Sequence, residues 1–102
     1  MTEKQLERKL ADAVKAAGGV APKWVSPGWV GVPDRIVLLP PDGHRHGCVG
    51  FVEVKAPGEK PRVIQRRRHA QLRILGFPVF VLDDPGQIPV IIQKIQEGGH
   101  DE

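Results

Sequence analysis

Apolar residues recur at helical spacing near the N-terminus. Leu6, Leu10, Ala13, Val14 and Ala17 fall on a single stripe, which predicts an amphipathic helix. Thr2 with Gln5 three residues on has the capping-box pattern, and Gly18-Gly19 supplies the stop. Residues 20–25 (VAPKWV) predict a short strand, weakened by Pro22, which has no N–H for a ladder. The Gly- and Pro-rich SPGWVGVP run is a loop. Asp34 then leads towards the apolar run IVLL at 36–39, and CVGFVEVK at 48–55 is the next strand. The two flank a Pro-Asp-Gly turn, so an antiparallel hairpin is expected. After APGEKP, residues 62–75 predict a helix with Ile64, Leu72 and Leu75 on its apolar side, ended by Gly76. A further strand at 77–82, a turn and a last helix at 87–97 follow, with a frayed tail at 98–102. The order α-β-β-β-α-β-α describes an α/β fold, a central mixed sheet flanked by helices.

Composition narrows this to one domain spanning 1–102. At 102 residues and 40% hydrophobic, the chain can form one core with a modest stability margin, and it shows neither repeats nor a long linker. Cys48 is its only cysteine, which excludes an internal disulfide and a thiolate zinc cluster and fits a reducing cytosol. With no apolar signal segment and no run long enough to span a membrane, a soluble cytoplasmic protein is expected. His44 and His46 share a Gly-rich turn, where they either face solvent or bind a metal.

The net charge of +3 says little, but its distribution says more. Residues 60–73 contain Lys60, Arg62, Arg66, Arg67, Arg68 and Arg73 without an acid. On a helix, Arg62, Arg66, His69 and Arg73 share a face, with Gln65 beside them. Such a row either holds the phosphates of a polyanion or is a solvated stripe. No pattern for reading base edges accompanies it, so recognition of shape or backbone is expected.

Three polar residues stand where strand physics disfavours them. Glu53 and Lys55 interrupt an apolar strand two residues apart, so they share a face opposite Val52 and Val54. Charges on a core strand are costly unless paired or used. The hairpin would bring Asp34 towards Glu53. Two carboxylates with the backbone carbonyl of Val54 offer hard oxygens to Mg²⁺ or Mn²⁺, beside a lysine able to orient water or balance charge on a phosphodiester. The alternative is a structural Glu53–Lys55 ion pair.

GVPDRIVLL, FVEVKAPG and QRRRHAQLRILGFPVFVL together resemble the VRR-NUC family of the PD-(D/E)xK nuclease superfamily, over residues 3–82. The resemblance implies a restriction-endonuclease-like core and a Mg²⁺- or Mn²⁺-dependent endodeoxyribonuclease. Asp34 and Glu53 match the metal carboxylates, Lys55 the catalytic lysine, and Gln65 the glutamine that supports the site. A helix-one acid, Glu7 or alternatively Glu3, would complete the set, and Lys23 resembles a basic residue placed to touch phosphate. Trp24 and Trp29 would either stack on bases or pack in the core. Stand-alone members, bacterial or phage-encoded, are similar to Holliday-junction resolvases, which implies a homodimer acting on four-way DNA junctions. Trp29, Val30, Phe77 and Phe80 are candidates for the dimer surface. Less selective nicking or flap cleavage, and a catalytically silent DNA-binding accessory protein, are the alternatives.

Overall fold

A computed structural model describes residues 1–43 and 46–98; His44 and the tail from residue 99 lie outside the described residues. Helix α1 (Glu3–Ala16) is followed by strands β1 (Arg35–Leu39) and β2 (Cys48–Val54). Helix α2 (Val63–Ile74), strand β3 (Val79–Leu82), a short 3₁₀ turn (Pro85–Gln87) and helix α3 (Ile88–Gly98) complete the chain. The sheet order is β1-β2-β3, antiparallel between β1 and β2 and parallel between β2 and β3. This is the expected mixed sheet, with β2 at its centre.

The ends of α1 follow the sequence signals. Thr2 Oγ1 accepts from Gln5 N–H at 3.1 Å, and Gln5 Oε1 accepts from Thr2 N–H at 2.8 Å. At the other end Gly18 takes φ +89°, and the N–H groups of Gly18 and Gly19 donate to the carbonyls of Lys15 and Val14. That Schellman arrangement needs a left-handed residue, which glycine adopts at little cost.

Residues 20–25 are a correction to the expected order. Instead of a strand they form two isolated antiparallel bridges, Val20 with Leu38 and Lys23 with Arg35. Val20 and Leu38 exchange both backbone bonds, and Trp24 N–H reaches the Asp34 carbonyl at 2.9 Å. Between them Pro22 accepts from Ile36 N–H but has nothing to donate in return, so the ladder is interrupted. The order is therefore α-β-β-α-β-α, with 20–25 laid along the outer edge of β1.

Alternation along β2 separates two layers. Cys48, Val52 and Val54 face a core built with Leu6, Leu10 and Val14 of α1 and Ile88, Ile91 and Ile95 of α3. Phe51 faces the other way, into a smaller cluster with Leu72 of α2 and Val79. At Gly50 the sheet and α3 meet so closely that a Cβ would stand 2.5 Å from Ile95 Cγ1. The α2 side thus has little apolar material, and Glu53 lies on it.

Candidate active site

The hairpin register carries the site. Arg35 pairs with Val52, so one step further Asp34 stands across from Glu53. Asp34 Oδ2 accepts the Val54 N–H at 2.8 Å, which fixes the carboxylate at the mouth of the sheet. Burial raises the Asp34 carboxyl from 3.8 to about 6; the Val54 N–H opposes the rise, and the charge and hydrogen bond of Glu53 and the charge of Glu7 add to it.

Glu53 is 1% exposed and surrounded by polar partners. Gln65 Nε2 donates to its Oε2 at 3.1 Å, Lys55 Nζ stands 3.6 Å from the same oxygen, and His69 Nε2 is 3.3 Å from Oε1. The Gln65 amide has a determined orientation. Its Oε1 accepts the Arg62 N–H at the start of α2, so its NH₂ is left for Glu53. A buried carboxylate without such donors would be strongly unfavourable.

That requirement corrects the reading of α2. Its buried residues are Gln65, His69 and Leu72, while Leu75 is 68% exposed. The helix is turned so that polar donors, not an apolar stripe, meet the sheet. His69 therefore leaves the expected DNA-binding row: it is 2% exposed and bonded to Glu53. Its signal in the sequence was its place four residues after Gln65, on the same face. Arg73 sits about 12 Å along the helix from Gln65 by helical rise, and its Nη2 donates to the Val79 carbonyl. Arg62 and Arg66 remain exposed at the site end of α2, with Arg66 also bonded to the Pro61 carbonyl.

On the opposite side, Glu7 pairs with Arg35 at 2.8 Å, and Arg35 also donates to the Ala21 carbonyl. Sequence reasoning missed Arg35, whose partner is 28 residues away. Of the two helix-one acids, Glu7 borders Asp34 electrostatically, whereas Glu3 is exposed in the first turn. Lys23 is exposed and lines a groove with Glu7 and Arg35. Trp24 stacks near Phe51 at 5.0 Å, and Trp29 lies under the Arg68 guanidinium at 4.7 Å, so both are half-buried on the α2 side of the sheet. Among the proposed dimer residues Val30 is 66% and Phe77 39% exposed, while Phe80 packs against the larger core.

The donor set fits a hard divalent ion. Among the described residues no three His, Cys, Asp or Glu side chains gather into a metal cluster. Two carboxylates do meet, Glu53 buried and Asp34 half-buried, and burial together with Glu53 raises the Asp34 carboxyl. Val54 C=O lies on the same side of β2 as its N–H, towards Asp34. Two carboxylates, a carbonyl and water suit Mg²⁺, which dehydrates reluctantly and keeps several waters.

No protein-family model matches the chain. Over 81 residues, 79% of this chain and 82% of the relative, it is 52% identical to "Putative nuclease p44" of Acyrthosiphon pisum secondary endosymbiont phage 1. A solved structure described as a VRR_NUC domain superposes with a TM-score of 0.78 at 32% identity, covering 91% of this chain and 97% of its own. A second, a VRR_NUC domain protein, gives a TM-score of 0.72 at 17% identity over 97% of this chain and 91% of its own, a likeness of fold. No helix among the described residues is long and apolar enough to cross a membrane.

Proposed function

The chain belongs to the VRR-NUC family, and from that premise we propose that it is a metal-dependent DNA endonuclease that cuts phosphodiester bonds at branched DNA. The observation that carries this reading is the convergence of Asp34 and Glu53 across the β1–β2 hairpin, with Lys55 3.6 Å from Glu53.

Asp34, Glu53 and the Val54 carbonyl would hold Mg²⁺ or Mn²⁺. Bound there, the ion supplies Lewis acidity to phosphate oxygens and lowers the pKa of water. The chain's own residues do the positioning. Val54 N–H aims Asp34, and Gln65 and His69 fix the two oxygens of Glu53. The Lys55 ammonium, held beside Glu53, orients the attacking water and balances the charge that grows on the phosphate. Glu7, held by Arg35, borders the ion site.

Selectivity for four-way junctions and action as a homodimer complete the proposal. A two-fold dimer would present two such sites to two symmetric strands. Support comes from the family and from the exposed apolar residues Val30 and Phe77.

The test incubates the protein with labelled four-way junction and matched linear duplex in Mg²⁺, Mn²⁺ or EDTA, with Lys55→Ala alongside. Paired, metal-dependent cuts at the crossover, absent from linear DNA and from the variant, are expected. Equal cutting of both substrates removes junction selectivity, and cutting in EDTA removes metal dependence. Sedimentation at working concentration reads the dimer.

A further inference from the structure

With His69 buried, the basic row expected on α2 keeps Arg62 and Arg66 at the site end and Arg73 further along, and a second basic surface lies on the α1 side, beside β1. An open groove of ≈ 590 Å³ runs between α1 and residues 20–25. Lys4 and Arg8 of α1 form one bank, Lys23 the other, and Arg35 is also part of the lining. Two carboxylates also line it, Glu7 and Asp12, but Glu7 is already neutralised by Arg35 at 2.8 Å. Lys4, Arg8 and Lys23 are exposed and form no ion pair among the described residues.

We propose that this groove is a phosphate-binding channel that carries the sugar-phosphate backbone of the nucleic acid on the α1 side of the cut. The inference rests on the nuclease reading above and extends it to a surface that the charge run in the sequence does not contain. Three features favour a polymer over a small anion. The cations are strung along an open groove instead of converging on one point. Lys4 and Arg8 are one helical turn apart, roughly 5–6 Å between their Cβ atoms, so each can meet a different phosphate. And the groove reaches the strand that carries the site, because Arg35, which lines it, opens β1 next to Asp34. With Arg62 and Arg66 on the other flank, the scissile phosphate would lie between two basic walls. Contacts of this kind set register and affinity without reading sequence.

The experiment measures binding of duplex and four-way junction in EDTA, where no cleavage intervenes, across a salt series. Lys4→Ala/Arg8→Ala is compared with Lys9→Ala/Lys94→Ala, which removes the same charge from exposed positions outside the groove. The groove variant is expected to bind on the order of tenfold more weakly, with a log–log salt slope smaller by about two. The control should stay within about twofold. In cleavage assays the groove variant should raise KM and keep kcat. Equal losses in both variants would reduce the effect to net charge and overturn the channel, as would undiminished binding by the groove variant. Wild-type protein that neither binds nor cuts any DNA would overturn the nuclease reading itself, a result visible before any variant is made.

Discussion

At the residue scale the site is an argument about one carboxylate. Glu53 is buried on the side of β2 that faces α2, and its oxygens are taken by Gln65, Lys55 and His69. These partners have separable jobs. Removing the Lys55 ammonium removes a charge that is useful mainly as the phosphate becomes more negative. Lys55→Ala should therefore lower kcat by about 10²–10³-fold, while DNA affinity in EDTA changes little; Lys55→Gln, which keeps a donor near Glu53, separates lost charge from lost packing. Cleavage by Lys55→Ala at wild-type rates would remove the lysine from the mechanism. His69 is almost fully buried and acts through Glu53. His69→Leu should weaken Mg²⁺ affinity or kcat by roughly 10–100-fold and cost about 1–3 kcal/mol for the donor that Glu53 loses. His69→Gln can return an N–H to Oε1 and should recover most of both. Metal titration beside thermal unfolding checks this, and an unaltered titration curve for His69→Leu would make His69 a packing residue only.

At the element scale the fold depends on how closely β2 approaches α3. A methyl group on Gly50 would sit 2.5 Å from Cγ1 and 2.6 Å from Cδ1 of Ile95. Gly50→Ala should destabilise by about 1–3 kcal/mol through overpacking. It should cost clearly less in an Ile95→Ala background, where the colliding atoms are gone. Additive losses by denaturant unfolding would show that the clash is relieved elsewhere. The same scale separates what the sequence made legible from what it did not. Helix α1 was readable because its stripe, its capping box and its Gly18 stop agree, and the β1–β2 hairpin because its strands are neighbours along the chain. Glu53, Lys55 and Asp34 stood out because charges in an apolar run require a reason. Residues 20–25 misled because one missing Pro22 N–H breaks a ladder that is otherwise bonded along β1. Helix α2 misled more deeply: its apolar residues suggested which face goes inward, but the inward face is decided by what the sheet presents. Glu53 asks for donors, so Gln65 and His69 turn in and Leu75 stays out. The Glu7–Arg35 pair and the groove beside it join residues distant in sequence, which no local pattern encodes.

At the scale of the whole molecule, the site and the stability of the fold pull against each other. Asp34 and Glu53 face one another where burial makes a second negative charge unwelcome, and the Asp34 carboxyl is raised to about 6. The sign of the consequence is fixed by linkage. Between the unfolded value of 3.8 and about 6, the folded metal-free protein holds a proton that the unfolded chain releases. This group's contribution to stability therefore declines as pH rises through that window, and no longer changes above it. The informative quantity is the difference between wild type and Asp34→Asn, in which contributions common to both proteins cancel. The asparagine can still accept the Val54 N–H but carries no charge. In EDTA, Asp34→Asn should be the more stable of the two at pH 7.5, with its advantage shrinking towards pH 4.5. Mg²⁺ should reverse the order at pH 7.5 by stabilising the wild type alone, by about 2.7 kcal/mol at a hundredfold excess over Kd. The same addition should have less effect at pH 5, where a proton competes for Asp34. Thermal unfolding of the two proteins with and without the ion reads all of this at once. Curves that run parallel from pH 4.5 to 7.5, with no shift on adding Mg²⁺, would refute the view that these carboxylates are held together at a cost which a divalent cation relieves.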